Sequence, residues 1–402
     1  MTDWSRRKFF LSTIAGGVLA GAQRLLGKEQ PQTHAGTTAP PTLPDPALER
    51  ERPQNAAKNW PRPVMISSAN GYIDKTTDGV RALQKGMDVL KAGGDTLDAV
   101  IAAVTVVEDD PNDNSVGYGG LPNEEGEVEL DSCLMHGPTR RAGAVAGVRK
   151  IKNVAQLAKM VMDRTNHVFL VGEGATRFAI SQGVQPMDLL TEKSRAAWLA
   201  WKARSDENWA PGLDSPQWKN RVEAMLDTPE KKEWASWIHD VVLNPPTGTI
   251  PCMAVNEKGE ISGVVTTSGL AWKIPGRVGD SGVIGAGMFC DGDVGAAGST
   301  GRGEENIKIS GGHTMVELMR RGMSPQNACL EAMQRVIRNY SLRRNSPDRE
   351  RLSKISIQFY ALNKDGQHGA ATLWREPHNL QYAVHDGTEA KLVDCVAVLD
   401  RT

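Results

Sequence analysis

Aromatic residues make up only 5% of this 402-residue chain, and no apolar run reaches the ~18 residues a membrane-spanning helix requires. Neither sign of charge dominates: 47 Lys and Arg face 48 Asp and Glu, a net charge of -1. That balance provides no electrostatic case for binding nucleic acid or an acidic membrane surface. The five cysteines, Cys133, Cys252, Cys290, Cys329 and Cys395, form no CxxC pair, and the eight histidines show no HExxH spacing. Zinc and thioredoxin-type motifs are therefore missing, and neither a metal nor a cofactor is expected. An odd cysteine count leaves at least one free thiol. Glycine-rich stretches are present, but none has the GxGxxG or GxxxxGK[ST] order of a nucleotide site.

What remains is an ordinary globular composition with an atypical beginning. Ser5-Arg6-Arg7-Lys8-Phe9-Phe10-Leu11 precedes a mildly apolar run from Ser12 to Ala22, and Ala20-Gly21-Ala22 suits cleavage after small residues. Residues 1–22 read as a twin-arginine export signal, which implies a periplasmic or secreted protein whose mature chain starts near Gln23. The alternative is a basic tail that stays in the cytosol. Residues 23–63 are rich in proline and polar side chains and read as a disordered tether.

The periodic part of the chain starts with a short strand at Val64-Met65-Ile66. Thr77 or Asp78 is expected to cap a helix carrying Val80, Leu83, Met87 and Leu90, with Gly93-Gly94 as its stop. Asp95 can cap a second helix whose stripe is Leu97, Val100, Ile101 and Val104. A glycine-rich turn follows at Asn114–Gly120, then two strands, Val128–Met135 and Ala142–Val148. Six of the ten tryptophans (198, 201, 209, 218, 234 and 237) fall between residues 190 and 240. This stretch reads as amphipathic helices docked on the body, with a sugar-binding platform as the alternative. Ile250–Val255 and Ile261–Thr267 form a hairpin around Asn256–Glu260. Helices are expected at Val316–Arg321 and Pro325–Arg338, and strands at Ile355–Leu362, Gly369–Trp374 and Gln381–His385. Two sheets with helices outside, a four-layer α/β/β/α stack, would bury all of these faces.

The chemistry centres on Gly248-Thr249. A threonine hydroxyl needs a base, and an internal threonine carries none. Were the 248–249 bond cut, Thr249 would gain an α-amine with an unperturbed pKa near ~8, attached to the same residue as its nucleophile. The hairpin returns Thr267 beside Thr249. Arg277 and Asp280 follow in a loop, where a guanidinium suits a carboxylate and a carboxylate suits an ammonium. Together they would grip an α-amino acid; the alternative is that they pair with each other. Thr300-Gly301, read as part of a glycine-rich turn, can present a hydroxyl and an N–H to an oxyanion.

The segments TIPCMAVN, TTSGLAWKIPGRVGDS, GAAGSTGRGEE and HTMVELMRRGMSP closely resemble the β-subunit of the glycosylasparaginases. Upstream, GGDTLDAV, DNSVGYGGLPNEEGEVELDS, GAVAGVRKIKN and HVFLVGEGATRFAISQG extend the likeness over residues 64–188 and 249–400. The resemblance implies an αββα sandwich of the N-terminal-nucleophile hydrolase type. It implies autoproteolysis between Gly248 and Thr249 into an α chain (64–248, with 189–248 a variable Trp-rich segment) and a β chain (249–402), paired as an (αβ)2 heterotetramer. By match of motif, Thr249 is the nucleophile and Thr267 assists it. Arg277 and Asp280 bind substrate, Thr300 and Gly301 form the oxyanion hole, and Ser115 supports the new amine. The implied reaction is hydrolysis of the side-chain amide of N4-glycosylated asparagine, a small-molecule substrate. Two positions depart from that pattern. Thr247-Gly248 stands where glycosylasparaginases carry His-Asp; Gly-Thr is the scission pair of the related plant-type asparaginases, which also hydrolyse β-aspartyl peptides. Ser67–Gly71 lacks the family's tryptophan. L-asparaginase or isoaspartyl peptidase activity is thus the alternative, and a catalytically inactive exported glycan-binding scaffold is another.

Overall fold

In the computed structural model, residues 63–205, 226–343, 346–376 and 380–401 are described. The export signal, residues 23–62 of the tether, Trp209 and Trp218 lie outside them.

Two sheets form the centre. The larger contains β1 (Val64–Ser68), β2 (Leu130–His136), β3 (Arg141–Val148), β4 (Phe169–Val171), β5 (Ile250–Val255) and β6 (Ile261–Thr267), with β13 (Gln381–His385) and β14 (Ala390–Asp394) from the C-terminal end. Its order is β14-β13-β1-β5-β6-β2-β3-β4. The smaller comprises β7 (Met288–Asp291), β8 (Gly295–Gly301), β11 (Ile357–Asn363), β12 (His368–Arg375) and β15 (Val396–Asp400), in the order β15-β12-β11-β8-β7. The short hairpin of β9 (Ser341–Arg343) and β10 (Ser346–Pro347) stands apart.

Strand alternation sorts the apolar side chains into layers. On β1, Val64 and Ile66 enter the core between the sheets, whereas Met65 faces the outer helices. On β5, Met253 and Val255 point between the sheets, and Ile250, Cys252 and Ala254 point outward. Outside the larger sheet lie α1 (Ala82–Lys91), α2 (Thr96–Asp109), α3 (Val154–Arg164) and α4 (Gly172–Ser181). The two helices of the Trp-rich stretch are α5 (Glu192–Ser205) and α6 (Ala235–Leu243). Against the smaller sheet pack α8 (Gly311–Arg320) and α9 (Pro325–Asn339), preceded by the short α7 (Gly303–Ile309). Both faces of each main sheet are therefore covered, and the four-layer αββα sandwich holds. All five cysteines are buried free thiols.

Several expectations hold at the level of single hydrogen bonds. Asp95 accepts the Leu97 N–H at 2.7 Å and caps α2, a contact worth about 1 kcal/mol. Ser324 caps α9 through the Asn327 N–H, with Pro325 at the first helical position. Others are corrected. Neither Thr77 nor Asp78 caps the first helix: Thr76 Oγ1 accepts the Val80 N–H at 3.0 Å and closes a turn there, so α1 starts only at Ala82. α8 begins at Gly311, well before Val316. The largest difference is at Thr300-Gly301, which ends strand β8 rather than sitting in a turn. Composition disguised that strand as a loop. Its residues are small because neighbours press close: a Cβ on Gly298 would lie 2.8 Å from Pro251 Cβ in the facing sheet.

In its described part the Trp-rich stretch docks helices on the body through small side chains such as Ala197 and Ala200. α5 and α6 form a satellite core with Leu121, Leu226 and Trp237. Trp201 stacks on Trp272 with ring centroids 5.3 Å apart. Trp272 belongs to the loop after Thr267, so the segment leading to Gly248 and the loop leading to Arg277 share one apolar base.

Candidate active site

Thr249 immediately precedes β5. By strand parity its side chain shares the inter-sheet face with Met253 and Val255. Thr267 ends β6 on the parity of Val265, also an inter-sheet residue, and β5 pairs with β6 so that Ile250 lies opposite Thr266. The two hydroxyls consequently meet: Thr249 Oγ1 is 3.1 Å from Thr267 Oγ1. On β8, Thr300 shares its parity with the inter-sheet residue Ala296 and approaches from the opposite sheet.

The surroundings of the 248–249 peptide bear on its carbonyl. Thr249 Oγ1 lies 2.7 Å from Gly248 O and Thr267 Oγ1 donates to the same oxygen at 2.9 Å. The Gly269 N–H in turn donates to Thr267 Oγ1 at 2.9 Å, which orients that hydroxyl. The carbonyl oxygen of Thr249 accepts from Ser68 Oγ at 3.0 Å and from Thr300 Oγ1 at 3.1 Å. Thr300 thus holds the backbone of Thr249 from the opposite sheet. Gly301 has φ +112°, and a Cβ there would lie 2.3 Å from Ser356 O, so the position admits only glycine.

Ser115 is packed against Gly248. A Cβ on Gly248 would fall 1.8 Å from Ser115 Oγ and 2.2 Å from Ser115 Cβ. The absence of a side chain at Gly248 is therefore a steric requirement of this site. Gly248→Ala is expected to displace the peptide from Thr249 Oγ1 and to slow any scission there by roughly tenfold to a hundredfold. Timed gel densitometry of purified protein measures this, and a variant that cuts as fast as wild type would show that the close contact is irrelevant.

A small cleft opens beside these groups, lined by Gly248, Thr249, Thr267, Arg277, Asp280 and Gly301, among others. Arg277 and Asp280 do not pair with each other. The guanidinium donates to Glu304 Oε1 from Nε at 3.0 Å and from Nη2 at 2.8 Å. Asp280 Oδ2 accepts from Ser299 Oγ and from Asn306 Nδ2, the latter at 2.7 Å. Burial pushes the Asp280 carboxyl up, while these donors and the Arg277 charge pull it down. Opposite charges separately anchored in one cleft suit a zwitterionic ligand.

Beneath the loop, Lys273 is buried and donates to Glu129 O at 2.9 Å and to Ser268 O at 3.1 Å. Desolvation holds its ammonium below the usual lysine range. Glu129 is held by Arg149 at 2.6 Å and accepts the Gly276 N–H at 3.2 Å. Behind β6, Thr266 Oγ1 donates to the buried Glu108 at 2.7 Å, and burial raises that carboxyl to about 7. Glu304, Ser299, Asn306, Ser68 and Lys273 had no signal by spacing alone. Asp113 had one: its Oδ1 accepts the Ser115 N–H at 2.7 Å, a local Asx-type turn that Asp-Asn-Ser suggests.

The four-layer stack is the fold of the N-terminal-nucleophile hydrolases, and the candidate site lies between its two sheets, where β5 begins. The family described as Asparaginase matches residues 65–343. The chain belongs to that family. It is 39% identical over 329 residues to an N(4)-(Beta-N-acetylglucosaminyl)-L-asparaginase of Elizabethkingia miricola, covering 82% of this chain and 83% of the relative. The protein of that same name from Rattus norvegicus is 36% identical over 314 residues, 76% of this chain and 87% of the relative. A probable isoaspartyl peptidase/L-asparaginase of Arabidopsis thaliana is 32% identical over 317 residues, 76% of this chain and 84% of the relative.

Proposed function

We propose that the protein is an autoproteolytically activated amidohydrolase that cleaves the side-chain amide of asparagine, preferring the N4-glycosylated form. The observation that carries the reading is the convergence of two threonine hydroxyls, Thr249 Oγ1 and Thr267 Oγ1, on the carbonyl oxygen of the 248–249 peptide.

Self-cleavage starts when Thr249 Oγ forms a bond to the Gly248 carbonyl carbon. Thr267 Oγ1 stabilises the charge that develops on the carbonyl oxygen. The C–N bond breaks, the nitrogen takes a proton, and the product is an ester with a free Thr249 α-amine. Water then hydrolyses the ester, leaving a carboxylate on Gly248 and restoring the threonine hydroxyl. The new amine takes the hydroxyl proton in each later cycle, directly or through a water.

Substrate enters with its α-carboxylate toward Arg277 and its α-ammonium toward Asp280. Thr249 Oγ attacks the side-chain amide carbon, and Thr300 with the Gly301 N–H receives the oxyanion. Protonation of the departing nitrogen releases a glycosylamine, and water frees aspartate from the β-aspartyl enzyme. The α chain (64–248) and β chain (249–402) remain together because β1 of the first is hydrogen-bonded between β5 and β13 of the second. The working assembly is (αβ)2.

Gly248, with no room for a Cβ, keeps a second reading alive: hydrolysis of plain asparagine or of isoaspartyl dipeptides by the same residues. Aspartate release from glycosylasparagine, asparagine and an isoaspartyl dipeptide ranks the three. Turnover of none by processed protein overturns the enzyme reading in favour of an inactive scaffold.

The protein is further proposed to be exported through its twin-arginine signal, residues 1–22, to the periplasm or medium. Replacing Arg6 and Arg7 together by lysine is expected to leave the chain in the cytoplasm. Cell fractionation and immunoblotting check this, and unchanged export of the variant removes the proposal without touching the enzyme mechanism.

A further inference from the structure

The surroundings of Thr249 contain an acidic residue to which the mechanism above assigns no step. Asp113 follows α2, and its two carboxyl oxygens serve opposite flanks of the 248–249 peptide. Oδ1 accepts both the N–H and the hydroxyl of Ser115, each at 2.7 Å. That hydroxyl oxygen is the atom packed against Gly248. Oδ2 accepts Asn70 Nδ2 at 2.5 Å. Asn70 Oδ1 in turn is 3.1 Å from Ser68 Oγ, and the same Ser68 hydroxyl reaches Thr249 O at 3.0 Å. One carboxylate is connected to both residues of the scission pair through segments distant in sequence, 68–70 and 113–115.

The bond to the Ser115 N–H alone would be ordinary turn chemistry, and the loop could keep it for that reason. The bridge to Asn70 is not local. It joins the end of β1 to the loop after α2, directly behind the nucleophile. Asp113 accepts at both ends, so it turns the Asn70 amide with Nδ2 toward itself and Oδ1 toward Ser68 Oγ, whose single hydrogen is shared between Asn70 Oδ1 and Thr249 O. Burial also pushes its carboxyl up, which makes these donors costly to remove.

We infer that Asp113 is a positioning residue, bracing Thr249 from one side through Ser115 and from the other through Asn70 and Ser68. The inference rests on the reading of Thr249 as nucleophile. The brace holds Gly248 and the Thr249 carbonyl in fixed relation, so that Thr249 Oγ stays aligned first on the scissile carbonyl and later on substrate. Misplacement of a reacting group by about 1 Å costs on the order of a hundredfold in rate.

The test is a polarity swap across the Asn70–Asp113 bridge. Asp113→Asn turns an amide donor toward Asn70, which can meet it only by flipping its own amide; the flip takes Oδ1 away from Ser68 Oγ and reverses the hydrogen bonding of that arm. Asn70→Asp sets two carboxylates face to face. The double variant restores one donor facing one acceptor and keeps an acceptor for both Ser115 and Ser68. Each single variant is expected to slow scission and to lower kcat by roughly tenfold to a hundredfold, with KM within about threefold of wild type because Arg277 and Asp280 are untouched. The double variant is expected to recover kcat and scission to within about threefold of wild type. Circular dichroism and thermal melting confirm folding of all four proteins. Asp113→Asn that cuts and turns over like wild type overturns the brace, as does a folded double variant no faster than the slower single. Wild-type protein that neither cuts nor hydrolyses overturns the functional reading instead, which separates the two failures.

Discussion

Thr249→Ala is expected to yield one uncut, inactive chain where wild type yields two. The alanine removes the hydroxyl carried by the residue whose nitrogen the acyl group leaves, so the N-to-O shift has no acceptor; Thr267 Oγ1, which donates to the Gly248 carbonyl oxygen at 2.9 Å, sits on another residue and cannot replace it in that shift. With no scission there is no α-amine at 249, so both nucleophile and base are lost together. Removal of a nucleophile from a hydrolase that acts as a unit costs on the order of 10⁴-fold or more, and here the loss is compounded by failure to mature. Thr249→Ser and Thr249→Cys each keep a nucleophile and are expected to cut. Intact mass and N-terminal sequencing decide the matter, with wild-type β chain beginning Thr-Ile-Pro-Cys. If Thr249→Ala were cut and active like wild type, the entire mechanism would fail.

Asp280→Asn is expected to separate maturation from catalysis. Ser299 Oγ and Asn306 Nδ2 both donate to Oδ2, so the asparagine oxygen must take that place. Its amide NH2 is then turned toward Oδ1's site, and an α-ammonium there meets a donor in place of a carboxylate. Breaking one side of a desolvated charge pair costs about 2–5 kcal/mol, or roughly 30- to 5,000-fold in kcat/KM. Scission should persist, because none of the hydrogen bonds to the 248–249 carbonyls comes from Asp280. Two chains on a denaturing gel with such a loss of kcat/KM is the expected result. Wild-type kcat/KM would remove Asp280 from substrate binding, and loss of scission would assign it to maturation.

The sequence and the structure agree best where a contact is made within one hairpin. β5 and β6 are joined by Asn256–Glu260, and alternation along each strand is enough to place Thr249 and Thr267 on one face. The loop carrying Arg277 and Asp280 was readable for the same reason: it follows β6 closely, and its charges have no apolar pattern to satisfy. The reading failed at β8, whose Gly-Ala-Ala-Gly-Ser-Thr-Gly has the composition of a turn. It failed because the cause of that composition is not local. Only the facing sheet, with Pro251 close to Gly298, explains why a strand there must be made of small residues.

The partners of the site residues follow the same division. Arg277 is engaged by Glu304 rather than by Asp280, and Asp280 by Ser299 and Asn306, because β8 and α7 deliver those side chains from later in the chain. Thr300 reaches Thr249 O from the opposite sheet, and Ser68 reaches it from the end of β1. By itself the sequence determined the layered class, the hairpin, the Gly-Thr pair and the identities of the groups in the cleft, since these depend on period, turn chemistry and side-chain type. The tertiary structure alone decided what each group leans on: that Gly248 must lack a side chain because Ser115 occupies the space, and that Asp113 joins both flanks of Thr249. Such contacts are set by how two twisted sheets pack face to face, and no local propensity encodes the distance between residues that meet only across that interface.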